Sequence, residues 1–242
     1  MIRTIYYIIL IYFILGGISF YLINRKKEKA VAKKSYTKFI TYFFIVNILF
    51  FGITLKHPFF EDISIIIVIA GIYEIINLFI KSGYNHKLFF ILSIFIYSIL
   101  SVGFLSFSHL NNDLILFSFL VLSIFDSFSQ ITGQFFGKHK ITPKISPNKT
   151  VEGTLGGFII AMGSGILMRD LYLGLSWETI IMITGIIIFA FCGDLIASLY
   201  KRKYKVKDYS KIIPGHGGFL DRFDSLIAGG AWTFIGYYLL NL

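Results

Sequence analysis

The sequence predicts an all-α fold, a polytopic integral membrane protein of about eight transmembrane helices, and three observations carry that prediction. Of 242 residues, 56% are hydrophobic and only 15% charged, with a mean hydropathy of +0.75, well outside the range of soluble globular domains. Apolar stretches close to the roughly 20 residues that a membrane-crossing helix needs recur at about 5–23, 38–55, 63–80, 88–108, 113–136, 154–171, 178–200 and 223–240. The cations alternate as well: the connections after the first, third, fifth and seventh stretches hold 20 of the 23 Lys and Arg residues, leaving Arg3, Lys56 and Arg169. By the positive-inside rule those connections face the cytoplasm and both termini face outward.

The same alternation accounts for the net charge of +10 through topology and attraction to anionic head groups, so no nucleic-acid partner is needed. The longest connections have about 15 to 22 residues, too few for a separate soluble unit. Residues 1–242 therefore read as a single membrane-embedded domain, with N-terminal helices over 1–110 and a catalytic region over 113–242. The first stretch is followed by Asn24-Arg25-Lys26-Lys27 without a small-residue cleavage site and reads as a retained helix. Glu74 stands in the cytoplasmic half of the third stretch, and Asp126 in the fifth. In the sixth, Arg169 and Asp170 near the outer end read as snorkelling or a local ion pair. The single cysteine, Cys192, excludes an internal disulfide and any multi-cysteine metal site, and reads as core packing.

Charged side chains inside apolar stretches are costly and mark function. Asp194 lies roughly 9–10 Å below the cytoplasmic end of the seventh helix at 1.5 Å per residue, close enough to look up at the following loop. A shared metal ion or a helix-packing hydrogen bond would each satisfy it. Asp126, Ser129, Gln130 and Gly133 recur at i, i+3, i+4, i+7 and give the fifth helix one polar face, which must turn to the bundle interior or a wet cavity.

Two cytoplasmic loops concentrate polar chemistry. From Ser198 to Asp224 there are seven Lys or Arg, three Asp, one His and three Gly, a composition suited to phosphates and a divalent cation. Between the fifth and sixth stretches, Ser146-Pro147-Asn148-Lys149-Thr150-Val151-Glu152-Gly153 leads into a helix whose positive end favours a phosphate. Glu152 could serve there simply as an N-terminal helix carboxylate, and Gly153, Gly156 and Gly157 could equally be close-packing positions.

Lys201-Arg202, Lys207-Asp208 and Pro214-Gly215-His216-Gly217-Gly218-Phe219-Leu220-Asp221-Arg222-Phe223-Asp224 resemble the signature of the phosphatidate cytidylyltransferases, or CDP-diacylglycerol synthases. Gly193-Asp194-Leu195 and the Ser146–Gly153 block are similar to two further blocks of that family, in the same order, and the resemblance spans Asp126 to Ser225. It implies transfer of a cytidylyl group from CTP to phosphatidate, giving CDP-diacylglycerol and pyrophosphate, with Mg²⁺ as cofactor. It also implies Asp194 and Asp221 as metal carboxylates. Lys149, Lys201, Arg202, Lys207 and Arg222 become candidate contacts to triphosphate or phosphatidate, and His216 a phosphate donor or a turn cap. Gly215, Gly217 and Gly218 would let the backbone approach phosphate. Asp208 and Asp224 would orient nearby cations, and Ser146, Thr150, Glu152 and Asp126 complete the candidate substrate-binding set. Expected partners are CTP, phosphatidate or a similar lipid phosphate, and the bilayer, with a homodimer left open and the site on the cytoplasmic face of the cell membrane.

Two positions depart from the family pattern. The residue after Leu195-Ile196, often glutamate in bacterial members, is Ala197. The usual Asp-x-x-Ala-Tyr block reads Asp126-Ser127-Phe128-Ser129-Gln130. The rival readings are CTP chemistry on another lipid phosphate or lipid alcohol, and a transporter. A transporter predicts polar residues spread to both membrane faces, whereas these cluster on one.

Overall fold

The computed structural model describes residues 2–25, 28–55, 58–171 and 176–240. Among them run eight α-helices: α1 (Ile2–Asn24), α2 (Lys29–Thr54), α3 (Phe59–Lys81), α4 (Lys87–Ser108), α5 (Asn112–Phe136), α6 (Val151–Leu167), α7 (Ser176–Lys203) and α8 (Leu220–Leu239). The molecule is an all-α polytopic membrane protein. Five helical stretches are long and apolar enough to cross a bilayer: Val31–Thr54, Phe59–Lys81, Lys87–Ser108, Asn112–Phe136 and Trp177–Lys203. With 17 residues, α6 is about 25 Å long, short of a hydrocarbon core of roughly 30 Å. Lys26 and Lys27, two of the cations that set the expected orientation, and Lys56, one of the three outside that pattern, lie outside the described residues.

Apolar side chains point both inward and outward, as a bundle in lipid requires. On α4, Leu88, Ile91, Phe95, Ile99 and Val102 are exposed along one stripe, a surface that only hydrocarbon would cover. Centrally, α5 is buried without interruption from Leu114 to Leu122. It packs on α6 through small residues: a Cβ on Gly157 would come within 2.8 Å of the Ser129 backbone nitrogen, and one on Gly153 within 2.7 Å of the Ser129 carbonyl oxygen. The glycines that open α6 are therefore close-packing positions, and the stripe at Ser129 and Gly133 is partly helix contact.

Three details differ from the sequence expectation. Cys192 is exposed, on an outward stripe of α7 with Ile188, Ile196 and Leu199, because helical spacing carries it away from buried Ala190 and Gly193. α2 begins at Lys29, well ahead of its apolar stretch, so Lys33 rides on helix rather than loop. The segment after α5 forms an antiparallel hairpin, β1 (Lys140–Thr142) and β2 (Ser146–Thr150), pairing Lys140 with Thr150 and Thr142 with Ser146. Its turn is closed by the Ile145 amide donating to the Thr142 carbonyl at 3.1 Å, with Pro143 where a fixed φ suits a turn.

Candidate functional site

The site forms where the N-terminal parts of α2 and α8 and the C-terminal ends of α3, α5 and α7 meet the hairpin and the loop from Tyr204 to Phe219. Its foundation is Glu74 of α3, fully buried. Glu74 accepts hydrogen bonds from Ser210 Oγ at 2.6 Å, the Phe219 amide at 3.0 Å and the Leu220 amide at 2.8 Å. The two amides are among the donors that a helix N-terminus leaves unsatisfied, so a carboxylate from another helix caps α8 and fixes where it starts. Gly218 carries no Cβ because one would run into the Glu74 carboxylate. Sequence reasoning gave Glu74 no role in the site; the only signal was an acid alone in an apolar helix.

Above it the signature loop makes a tight turn. Ile213 and Gly217 exchange hydrogen bonds of 2.8 and 3.2 Å, and the His216 amide donates to the Ile213 carbonyl at 3.0 Å. Gly215 and Gly217 adopt φ of +76° and +91°, conformations that favour glycine. Asp221 clips this loop to the bundle. Its Oδ1 meets Lys201 Nζ at 2.6 Å, and its Oδ2 accepts from the Tyr209 and Gly218 amides, both at 2.8 Å. Burial holds the Tyr209 phenol well above the usual tyrosine range, and its hydroxyl donates to the Ala197 carbonyl at 3.1 Å.

Three other acids lie within electrostatic reach of one another: Asp126 on α5, Asp194 on α7 and Asp224 on α8. Lys149 of β2 meets Asp194 Oδ2 at 2.8 Å with its ammonium 4.2 Å from the centre of the Phe191 ring. Asp194 Oδ1 accepts weakly from Ser198 Oγ at 3.3 Å. Lys201 also lies within electrostatic reach of Asp224, and Lys149 and Arg222 within reach of Asp126. The described contacts of Asp221 are with Lys201 and two amides, while Asp224, one turn further along α8, faces Asp194.

Several expected substrate contacts serve the scaffold. Thr150 is buried and caps α6, accepting from the Gly153 amide at 3.1 Å. Glu152 closes the foot of the hairpin, accepting from the Lys138 amide at 3.0 Å and from the His139 amide and ring. Arg202 ties hairpin to loop, its Nε on the Ile145 carbonyl and its NH1 on the Val206 carbonyl, each at 3.1 Å. Ser146 sits in β2 opposite Thr142, and Lys207 and Asp208 are exposed on the loop. His216 packs against Tyr42 of α2; burial and the neighbouring Arg222 push its imidazole below the usual histidine range.

Among the described residues, no three His, Cys, Asp or Glu side chains are grouped to hold a metal ion by themselves. Mg²⁺ takes one or two carboxylates and completes its shell with water and substrate phosphates. The hard oxygens of Asp126, Asp194 and Asp224 fit that donor chemistry.

A family model described as "Cytidylyltransferase family" matches residues 1–240. The chain belongs to this cytidylyltransferase family. Its similarity to curated relatives is shorter. It is 42% identical over 132 residues to a phosphatidate cytidylyltransferase of Staphylococcus haemolyticus, covering 52% of this chain and 50% of the relative. To that of Staphylococcus saprophyticus it is 46% identical over 116 residues, 47% and 44% of the two chains. To that of Haemophilus influenzae it is 40% identical over 135 residues, 52% and 45%. The chain thus spans about half the length of the curated relatives it matches.

Ala197, where the resemblance led us to expect glutamate, has a structural setting. Ala197 is 7% exposed and, with Ile75, Tyr97, Tyr209 and Asp224, lines a small apolar pocket of about 40 Å³. A glutamate there would stand in apolar surroundings beside Asp224. Ala197→Glu is expected to lower the thermal midpoint in detergent by about 4–8 °C, the shift that ~2 kcal/mol gives a chain of this size. A midpoint unchanged or raised would mean that the cavity accommodates the charge.

Proposed function

We propose that this protein transfers a cytidylyl group from CTP to phosphatidate, releasing pyrophosphate and forming CDP-diacylglycerol, with Mg²⁺ as cofactor. The reaction belongs on the cytoplasmic face of the cell membrane, where the cation-rich connections lie and CTP is available. The observation that carries the reading is the convergence of Asp126, Asp194 and Asp224 with Lys149, Lys201 and Arg222 at one end of an apolar bundle. That end is polar enough for a triphosphate and borders lipid.

A phosphatidate oxygen is already anionic near neutral pH. No strong base is required; the nucleophile's charge must be tolerated and its approach to the α-phosphorus of CTP aligned. The lipid oxygen forms a bond to that phosphorus as the bond to the bridging oxygen breaks, and the electron pair leaves with pyrophosphate. Asp194 and Asp224, with Asp126 beside them, would hold Mg²⁺, which supplies positive charge to phosphate oxygens when bound. Lys149 and Arg222 would neutralise the phosphates that approach. Lys201, buried and paired with Asp221, places the loop and adds its charge from below. The apolar flanks of α7 and α8 leave the diacylglycerol chains in hydrocarbon.

The test is incubation of purified protein in detergent with labelled CTP, Mg²⁺ and phosphatidate. The expected product is labelled CDP-diacylglycerol with stoichiometric pyrophosphate. Labelling of another lipid phosphate in its place would overturn the acceptor, and no transfer to any lipid phosphate would overturn the reaction.

A further inference from the structure

We infer that α2 supplies the third wall of the site and completes a phosphate subsite, with Lys38 contacting a substrate phosphate alongside His216 and Arg222. The inference rests on the nucleotidyl-transfer reading and assigns a function to a helix outside the signature.

The tip of the signature loop sits directly on α2. Thr41 Oγ1 donates to the Pro214 carbonyl at 3.1 Å, and a Cβ on Gly215 would come within 3.0 Å of Lys38 Cγ and 3.4 Å of its backbone nitrogen. Tyr42, one helical turn from Lys38, lays its ring against His216 with centroids 6.5 Å apart and planes inclined by 27°. Two cations flank that imidazole. Arg222 uses Nε to donate to the His216 carbonyl at 3.1 Å, and Lys38 approaches from α2. Among the described residues, neither ion-pairs with a carboxylate within 4.0 Å. His216 Nδ1 is buried and has no hydrogen bond within 3.5 Å, the Pro214 backbone lying beyond that distance.

A solvated basic face would explain exposed lysines scattered along a helix. It does not explain a lysine whose backbone and Cγ lie against a glycine turn, a second cation held by that turn's carbonyl and a buried imidazole nitrogen without a close partner. Buried polar atoms are nearly always hydrogen-bonded, and an anion placed between two cations would satisfy all three groups. Arg222 offers its terminal amino groups in the planar fork that matches phosphate, and Lys38 offers a point charge. Asp126 faces Arg222 from the metal side, so the subsite adjoins the carboxylate cluster. The ligand is a phosphate, carried either by the nucleotide or by the lipid head group.

Lys38→Gln, Lys38→Arg and Tyr42→Leu separate these roles. In the transfer assay Lys38→Gln is expected to raise KM about tenfold for one substrate and leave kcat nearly unchanged, as loss of one charge-assisted contact gives. Lys38→Arg should restore most of it, and Tyr42→Leu should share the defect through a misplaced His216. Thermal protection of the same proteins by inorganic pyrophosphate and by short-chain phosphatidate micelles provides a readout without turnover. A defect confined to CTP and pyrophosphate assigns the subsite to the nucleotide, and one confined to phosphatidate assigns it to the lipid. Unchanged KM for both substrates with wild-type protection overturns the inference, as does a Lys38→Arg protein as impaired as Lys38→Gln. If the wild-type protein neither turns over nor gains protection from either ligand, the transfer reading itself falls and the subsite with it.

Discussion

Replacing Glu74 by alanine is expected to destabilise the protein by about 3–5 kcal/mol, the cost of removing one side of a buried charged hydrogen-bonded cluster. The Phe219 and Leu220 amides and Ser210 Oγ would lose their acceptor together, in a place where water cannot replace it. The helix they begin carries Asp221, Arg222 and Asp224, so the loss extends to the site. In detergent the thermal midpoint should fall by about 10 °C or more, and lipid nucleotidyl transfer should disappear with it. Glu74→Gln keeps the shape and one acceptor oxygen but turns an amide N–H towards donors, and an intermediate fall is expected. A Glu74→Ala protein with the wild-type midpoint would refute the capping role.

Helices were legible because apolar runs of near-bilayer length and alternating cations are repetitive signals, and each apolar stretch corresponds to one of the eight helices. Placement across the bundle was not legible. Glu74 and Leu220 are 146 residues apart, and nothing local in either segment announces their hydrogen bond. Lys38, at the start of the second apolar stretch, read as one of many cytoplasmic cations because nothing local sets it apart; only the fold brings it under Gly215. The acids of α8 show a further limit. Asp221 and Asp224 are three residues apart on one helix face, so spacing cannot say which turns to Asp194 and which turns back to the loop. The backbone decides it: Asp221 lies in the first turn, within reach of the Gly218 amide three residues before it, and becomes a cap. Thr150 and Glu152 were drawn into scaffold work for the same reason, since an unpaired helix end and a hairpin foot both compete for short polar side chains.

The division of labour between the acids predicts that Asp194→Asn and Asp221→Asn fail differently. Among the described residues, Asp194 forms one ion pair, with Lys149, and accepts only a long hydrogen bond from Ser198. Its amide replacement should fold with a midpoint near that of the wild type while transfer falls by about 10²–10³-fold, the scale of losing one preorganised electrostatic contact. Raising Mg²⁺ should recover part of that loss if the carboxylate helps hold the ion. Asp221 has both oxygens engaged, and its removal leaves Lys201, itself 8% exposed, as a buried cation whose nearest ion partner is gone. Asp221→Asn should therefore lower the midpoint by about 5 °C or more, and added Mg²⁺ should not restore activity. Midpoints and Mg²⁺ titrations of the two proteins, measured side by side, decide the matter. If Asp221→Asn keeps a wild-type midpoint and regains activity with Mg²⁺, Asp221 reaches the metal, and the cap seen here gives way when substrate is bound.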